Sequence, residues 1–277
     1  MHTIRAYSDD LAAFFSFVSE QFDVQEPVDV TPAMVRSWMA SLSLNQIQPR
    51  SINRKLSSLN AFFRFGLTIG ELKKNPVNAI PVLKVKKRLP AYIEKDKMER
   101  LLRETDFSDD YRGRMEYLTI NMLYQTGMRV SELVGLKETH LDLNRRQIKV
   151  LGKGSKERII PVHPDLVGLL SAYLTEKKFR FPASNISSVL LTEKEKPPTA
   201  RQIYDVVKRN LGLVTTAERR GPHVLRHSFA THLAGNGAEL NAVKDLLGHA
   251  SLAATQVYTH NSIERLRDIH RKAHPKG

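Results

Sequence analysis

The chain has 277 residues, of which 41% are hydrophobic, and it carries a formal net charge of +14 without any cysteine. Its length and apolar content predict a globular protein of one large or two ordinary domains, and its positive charge predicts a polyanionic partner, nucleic acid before a membrane surface. The absence of cysteine excludes disulfides, thiolate catalysis and sulfur-bound metals, while the lack of a membrane-spanning apolar run and of a signal-peptide pattern predicts a cytoplasmic protein.

Three helices are predicted in the N-terminal part of the chain. Apolar residues recur with helical spacing from Ile4 to Val18, and a second helix begins with Thr31 as its N-cap and Pro32 in its first turn. A third helix covers residues 51–67, with Ile52, Leu56, Leu59 and Phe63 facing inward. Its other side is basic, which is usual for a solvated face but in so basic a protein also indicates DNA contact. The candidate contact residues are Arg50, Arg54, Lys55 and Arg64.

Residues 75–90 interrupt the helical pattern with three prolines and a basic run. This composition is typical of an extended, positively charged linker. It divides the chain into a helical domain at residues 1–80, a linker at 81–90 and a larger domain at 91–277. The linker residues that are candidates for DNA contact are Lys84, Lys86, Lys87 and Arg88.

The larger domain is predicted to be mainly helical with one small β-sheet. Helical patterns cover residues 94–105 and 113–127, and the second ends at Gly127. Two strands, one through Ile148 and Val150 and one from Ile159 to Val162, flank the turn sequence GKGSKE and predict a hairpin. Helical patterns then recur to the end of the chain, at residues 164–178, 200–212, 221–235, 239–249 and 262–273.

The helix GPHVLRHSFATHLAGNG, residues 221–237, has an unusual concentration of histidine. His223, Arg226 and His227 fall on one arc near its N-terminus, an end that favours anions and phosphate above all. The opposite arc holds the core-facing residues Leu225, Phe229 and Leu233. Taken alone, the pattern also fits a solvated face with hydrogen-bonded structural histidines, the interpretation that we assign to His227 and His232.

The i, i+4 spacing of His223 and His227 also occurs in zinc-binding helices. Val224 stands where a zinc metalloprotease has its glutamate, and Arg226 would lie beside the cation. The sequence therefore predicts neither a metal site nor a bound cofactor.

Polar residues end four separate elements of the larger domain. They are Arg129 in TGMRVSEL, Lys153 in GKGSKER, His223 and Arg226 in PHVLRHSFATHL, and His249 and Tyr258 in LLGHASLAATQVYTH. With TIRAYSDDL, LPAYI and the closing ERLRDIHRKAHP, these motifs span nearly the whole chain. In order and spacing they resemble the tyrosine recombinase (phage integrase-like) family, and in particular its Xer branch.

The resemblance implies a two-domain protein that closes on DNA as a C-shaped clamp. Its parts are a SAM-like helical core-binding domain and a mostly helical tyrosine recombinase catalytic domain. A tyrosine that attacks a phosphodiester needs converging cations, because few tyrosines are ionised at neutral pH. The implied roles are Tyr258 as nucleophile, Arg129 and Arg226 as phosphate clamps, His223 as a donor or proton acceptor, His249 as a donor, Lys153 as general acid with Lys156 as the alternative, and Glu132 as the residue that holds an arginine or the hairpin.

The implied function is site-specific DNA recombination through a 3′-phosphotyrosyl intermediate, without metal or ATP, and resolution of chromosome dimers at a dif-like site. Double-stranded DNA is the implied partner, bound by a homo-oligomer that forms a tetrameric synapse through its C-terminal helix. A mobile-element integrase of the same family and a topoisomerase-like relaxing enzyme share the chemistry. A site-specific DNA-binding protein without catalysis would explain the charge but not the set of catalytic residue types.

Overall fold

The structure is a computed structural model that describes residues 2–85, 91–103, 107–152, 157–218, 220–248 and 273. The chain forms two compact units, Met1–Arg88 and Leu89–Gly277. Helices dominate both units, and the sheet within the described ranges has three strands. The prediction of a mainly α fold with a small β-sheet is confirmed.

The N-terminal unit consists of the helices α1 (His2–Phe22), α2 (Pro32–Leu44) and α3 (Pro49–Thr68). Thr31 caps α2 as predicted, because its hydroxyl oxygen accepts a hydrogen bond from the backbone N–H of Met34 at 3.4 Å. A proline occupies the first turn of both α2 and α3, where backbone N–H groups have no partner within the helix, so the N–H that proline lacks is not needed. All three predicted helices of this unit are present.

The core of the N-terminal unit is formed by aromatic and aliphatic side chains from all three helices. The most enclosed of them are Phe14, Val18, Val35, Trp38, Ile52, Leu59 and Phe63. The rings of Phe14 and Trp38 meet edge to face, with 5.1 Å between their centroids. Ile4 and Tyr7 are exposed although their spacing is helical, so the first turns of α1 lie outside this core.

The C-terminal unit is built around one buried helix. Its helices are α4 (Lys95–Arg103), α5 (Tyr111–Thr126), α6 (Val130–Val134), α7 (Pro164–Arg180), α8 (Ala200–Val214), α9 (Pro222–Gly235) and α10 (Leu240–Leu247). Helix α5 contacts α7, α8 and α9 and is buried along most of its length, apart from two exposed arginines in its first turn. Asp110 caps it by accepting the N–H of Gly113 at 2.7 Å, and Gly127 ends it as predicted.

The sheet is antiparallel in the order β1 (Leu141–Asp142), β2 (Gln147–Leu151) and β3 (Glu157–Pro161). In the β2–β3 pair Ile148 faces Ile160 and Val150 faces Arg158, which confirms the predicted hairpin. Helix α6 and strand β1 were not predicted. At five and two residues they are too short to show a hydrophobic period.

Within the described ranges, no helix is both long and apolar enough to cross a membrane.

Candidate active site and DNA-contact residues

The turn that ends α5 positions Arg129. Gly127 has a φ of +60°, a left-handed conformation that glycine adopts without strain. A Cβ atom at this position would lie 2.5 Å from Phe229 and 2.8 Å from Leu247. The close packing of this turn against α9 and the end of α10 therefore requires glycine, and Arg129 follows as the N-cap residue of α6.

Arg129 is fixed to Glu132 at the start of α6. The Glu132 carboxylate accepts the backbone N–H of Arg129 at 2.7 Å and its guanidinium Nη1 at 2.9 Å. The Nη2 of Arg129 donates to the carbonyl of Gly248 at 3.4 Å. Because 36% of the Arg129 side chain remains exposed, this guanidinium is accessible to an incoming anion.

Arg226 lies on α9 and is only 8% exposed. Its Nη1 donates to the carbonyl of Gly127, and its Nη2 donates to the carbonyl of Leu247 at 2.7 Å. Burial, reinforced by the charges of Arg129 and Arg158, lowers the pKa of Arg226 to about 10. Arg226 is therefore still a cation at neutral pH, although its burial and the two neighbouring cations disfavour the charged form.

Sequence reasoning missed a third arginine, Arg158 of β3. Its side chain is 5% exposed, and its two terminal nitrogens each donate to Glu132 at 2.8 Å. Its Nε donates to the carbonyl of Leu246 at 2.9 Å. The signal that could have revealed it is the two-residue period of the strand, which places residue 158 on the same inward face as Ile160.

These four side chains, Arg129, Glu132, Arg158 and Arg226, form what we call the arginine cluster. Burial opposes the ionisation of Glu132, but hydrogen bonds from Arg158 and Arg129 outweigh that effect and hold its pKa below the usual value. Arg129 and Arg158 thus bind this carboxylate, and the charge of Arg226 adds a third cation nearby, which leaves positive charge in excess. Arginine groups so arranged favour a phosphate, which they can bind through paired, charge-assisted hydrogen bonds.

The three histidines of α9 have different surroundings. His223 is exposed in the first turn, and His227 is half-buried with its ring edge to face with Tyr92. His232 is buried, and its Nδ1 lies 2.9 Å from the hydroxyl oxygen of Tyr124. Burial lowers the pKa of His232, so its ring is neutral at pH 7. His227 and His232 thus have packing contacts, while His223 faces solvent one turn before Arg226.

Several candidates lie outside the described residues: Lys153 with its alternative Lys156, His249 and Tyr258 of the catalytic set, and Lys86, Lys87 and Arg88 of the linker. The structure nevertheless describes the elements next to two of them. Strands β2 and β3 lie on either side of the segment that contains Lys153 in the sequence, and Gly248 caps the end of α10 immediately before His249.

The basic residues of α3 fall into two groups. Arg54 and Lys55 bind the buried carboxylate of Asp10, Arg54 through both terminal nitrogens and Lys55 at 3.0 Å. Arg50 and Arg64 are exposed on the same helix. Lys84 is exposed as well. The backbone of the preceding residue, Leu83, is held in place by two hydrogen bonds of 2.9 Å to the side chain of Asn53.

The Asp10 carboxylate is expected to stabilise the N-terminal unit. Replacing Asp10 with asparagine weakens its bonds to Arg54, Lys55 and Ser58 and should cost about 1–3 kcal/mol. Burial opposes the ionisation of Asp10, but the hydrogen bonds from Arg54, Lys55 and Ser58 outweigh it and lower the pKa. Its contribution is therefore complete above the pKa of the unfolded chain, about 4, and disappears as the pH falls through the lower folded value.

Fluorescence-monitored urea unfolding measures this effect selectively, because Trp38 is the single tryptophan and lies in the core of the N-terminal unit. The matched control is Asp9→Asn at the exposed neighbouring position. Equal midpoints for Asp10→Asn and wild type at neutral pH would show that the network contributes nothing to stability.

No group of three or more histidine, aspartate or glutamate side chains that could hold a metal ion is found in the part of the chain that the structure describes.

Comparison with known protein families gives two matches. Residues 91–265 match the model of the phage integrase family, and residues 1–68 match the N-terminal SAM-like domain of phage integrases. Among curated proteins, the chain is 36% identical over 277 residues to the tyrosine recombinase XerC of Pelobacter propionicus, covering 100% of this chain and 90% of that protein. It is 34% identical over 298 residues to the XerC of Chlorobaculum parvum, covering 99% and 89%.

Solved structures give the same fold. The XerH site-specific recombinase bound to palindromic difH substrate, in a post-cleavage complex, aligns with a TM-score of 0.74 at 24% identity. The alignment covers 96% of this chain and 78% of that one.

Proposed function

The chain belongs to the phage integrase family of tyrosine recombinases and is a site-specific recombinase, and we propose that it cuts and rejoins double-stranded DNA through a covalent 3′-phosphotyrosyl intermediate at Tyr258. The observation that carries this proposal is the arginine cluster, in which Arg129 and Arg158 bind the carboxylate of Glu132 and the charge of Arg226 adds a third cation beside this single anion. A phosphodiester supplies the missing negative charge, and the negative charge that grows on its oxygens during attack strengthens the same contacts.

In the proposed cleavage step the oxygen of Tyr258 bonds to the scissile phosphorus while the bond from phosphorus to the 5′-oxygen breaks. At pH 7 about one tyrosine in a thousand is ionised, so the phenolic proton needs an acceptor. His223 is suited either to accept it or to donate to the phosphate. Lys153, with Lys156 as the alternative, protonates the departing 5′-oxygen.

The phosphate is held during this step by Arg129 and Arg226, with His249 as a further donor to a non-bridging oxygen. Resealing is the reverse reaction, in which the 5′-hydroxyl of another strand attacks the phosphotyrosine and releases Tyr258. The phosphotyrosine bond retains the energy of the broken phosphodiester, so the exchange requires neither ATP nor a metal ion.

We further propose that the core-binding domain at residues 1–80, the linker at 81–90 and the catalytic domain at 91–277 close on the duplex as a C-shaped clamp. Among the described candidates of α3 and the linker, the exposed cations Arg50, Arg64 and Lys84 are available for phosphates, because Arg54 and Lys55 are bound to Asp10. Backbone contacts of this kind position a protein on DNA and make its affinity strongly dependent on salt.

The proposal extends to the biological role of the reaction. The XerC relatives, together with the difH substrate that the structurally similar XerH recombinase binds, support a dif-like site as the substrate. We propose that cytoplasmic protomers assemble as a tetrameric synapse on this DNA through the C-terminal segment at residues 262–277, and resolve chromosome dimers at a dif-like site.

Covalent capture from a pool of randomised, singly nicked duplexes tests the proposed chemistry. The nick lets the short cleaved fragment diffuse away, so the intermediate accumulates. With EDTA present and ATP absent, we expect an adduct whose digestion yields one peptide with a nucleotide on Tyr258. Bound DNA without any adduct would instead indicate site-specific binding without catalysis, and captured sequences that match mobile-element ends rather than dif-like sites would contradict the dif-like role.

A further inference from the structure

Three consecutive carbonyl groups at the end of α10 each accept a hydrogen bond from a different arginine. Leu246 accepts from Arg158 of β3 at 2.9 Å and Leu247 accepts from Arg226 of α9 at 2.7 Å. Gly248 accepts from Arg129, at the start of α6, at 3.4 Å. Three elements far apart in the sequence are therefore connected at one helix end.

The end of a helix is suited to such contacts. Its last carbonyls have no partner within the helix, and the helix dipole places negative charge there, which attracts cations. The residue that follows the last of these carbonyls is His249, and the segment beyond it contains Tyr258. The geometry of this helix end consequently fixes where the segment that contains both proposed catalytic residues begins.

Arg158 differs from the other two arginines because its three side-chain nitrogens are all used. Two bind Glu132 and the third binds Leu246, and the side chain is 5% exposed. Gly248, with a φ of +62°, packs directly against it, because a Cβ there would lie 3.1 Å from Cδ of Arg158. Arg158 is thus poorly placed to bind a phosphate itself and well placed to fix its neighbours.

We propose that Arg158 is a positioning residue for the cleavage step. It holds Glu132, which orients Arg129, and it holds the end of α10, which fixes where the segment with His249 and Tyr258 begins. Through its place on β3 it also ties the β2–β3 pair, whose strands precede and follow Lys153 in the sequence, to the same point. This inference rests on the proposed function, and it assigns to Arg158 an effect on the rate of cleavage rather than on DNA affinity.

The first test compares Arg158→Lys with wild type and with Arg145→Lys, a control at a largely exposed arginine near the start of β2. Lysine keeps the charge but cannot make the paired bonds to a carboxylate. We expect unchanged DNA affinity, measured by fluorescence anisotropy on the duplex captured by wild type. Single-turnover adduct formation should slow by about 10- to 100-fold, because small misplacements of reacting groups reduce the rate by factors of this order. A proportional loss of affinity, or no loss of rate, would overturn the inference.

A second variant separates positioning from stability. Arg158→Met alone would leave a buried, poorly neutralised carboxylate and is expected to be unstable. The double variant Arg158→Met, Glu132→Gln removes both charges and should recover thermal stability, while its cleavage should stay slower than that of Glu132→Gln alone, because the carbonyl of Leu246 has lost its arginine donor. Recovery of the cleavage rate together with stability would show that Arg158 is merely structural. If wild type itself captures no DNA, the proposed function fails before this inference is reached.

Discussion

Replacing Tyr258 with phenylalanine is expected to abolish covalent capture of DNA and to leave DNA affinity intact. The substitution removes one oxygen, the atom that would bond to phosphorus, and keeps the aromatic ring. No other part of the proposed site substitutes for a missing nucleophile, so the expected loss of cleavage is about 10⁴-fold or more. The measurement is single-turnover adduct formation on the captured nicked duplex, with anisotropy on the same duplex for affinity.

Tyr204→Phe is the matched control for this experiment. Tyr204 lies on α8 of the same unit and is 41% exposed, so removing its hydroxyl should change neither affinity nor rate. An adduct that persists in Tyr258→Phe would show that another residue is the nucleophile. Loss of both affinity and cleavage would mean that the substitution disrupts the protein rather than the chemistry.

Arg226→Ala is expected to reduce the rate of cleavage by about 10²- to 10³-fold, the usual effect of losing a donor that stabilises developing negative charge. Arg226 is buried, yet it remains charged, because its lowered pKa of about 10 is still well above neutrality. Burial and the charges of Arg129 and Arg158 oppose the ionisation of Arg226. We therefore ascribe its presence to the phosphate that it would bind.

The variants at position 226 also distinguish charge from geometry. In the wild-type protein, two separate nitrogens of Arg226 donate to the carbonyls of Gly127 and Leu247. Arg226→Lys keeps the charge but offers these carbonyls a single ammonium group. We expect its cleavage rate to fall between those of wild type and Arg226→Ala. The control is Arg201→Ala on the solvent side of α8, where the side chain is 80% exposed. Cleavage by Arg226→Ala at the wild-type rate would contradict the proposed phosphate clamp.

Local signals in the sequence were sufficient for most elements of the fold. Thr31 and Pro32 marked the start of α2, Gly127 marked the end of α5, and alternation marked the β2–β3 hairpin. These features follow from backbone geometry and side-chain period, which depend only on near neighbours. Helix α6 and strand β1 escaped prediction because one turn of helix and two residues of strand contain too little pattern.

The candidate site was predictable only in part. The motifs around Arg129 and Arg226 identified both residues, and a resemblance to a family, rather than any local rule, supplied their joint role. Arg158 was missed because an arginine in a strand is ordinarily a surface residue, and its partners Glu132 and Leu246 lie 26 and 88 positions away. Only the packing of the folded protein shows that Arg158, Glu132 and Leu246 come into contact.

The sequence by itself determined the residue types, the charge and the local elements of this protein: a basic, mainly helical chain with candidate phosphate-binding residues at the ends of several elements. The tertiary structure alone decided which cations work together. It joined Arg129, Arg158 and Arg226 at the end of α10, and it engaged Arg54 and Lys55 with Asp10 while Arg50 and Arg64 stayed exposed. The physical reason is that a charge acts over a few ångströms of space in the folded protein, a distance that spacing along the chain does not specify.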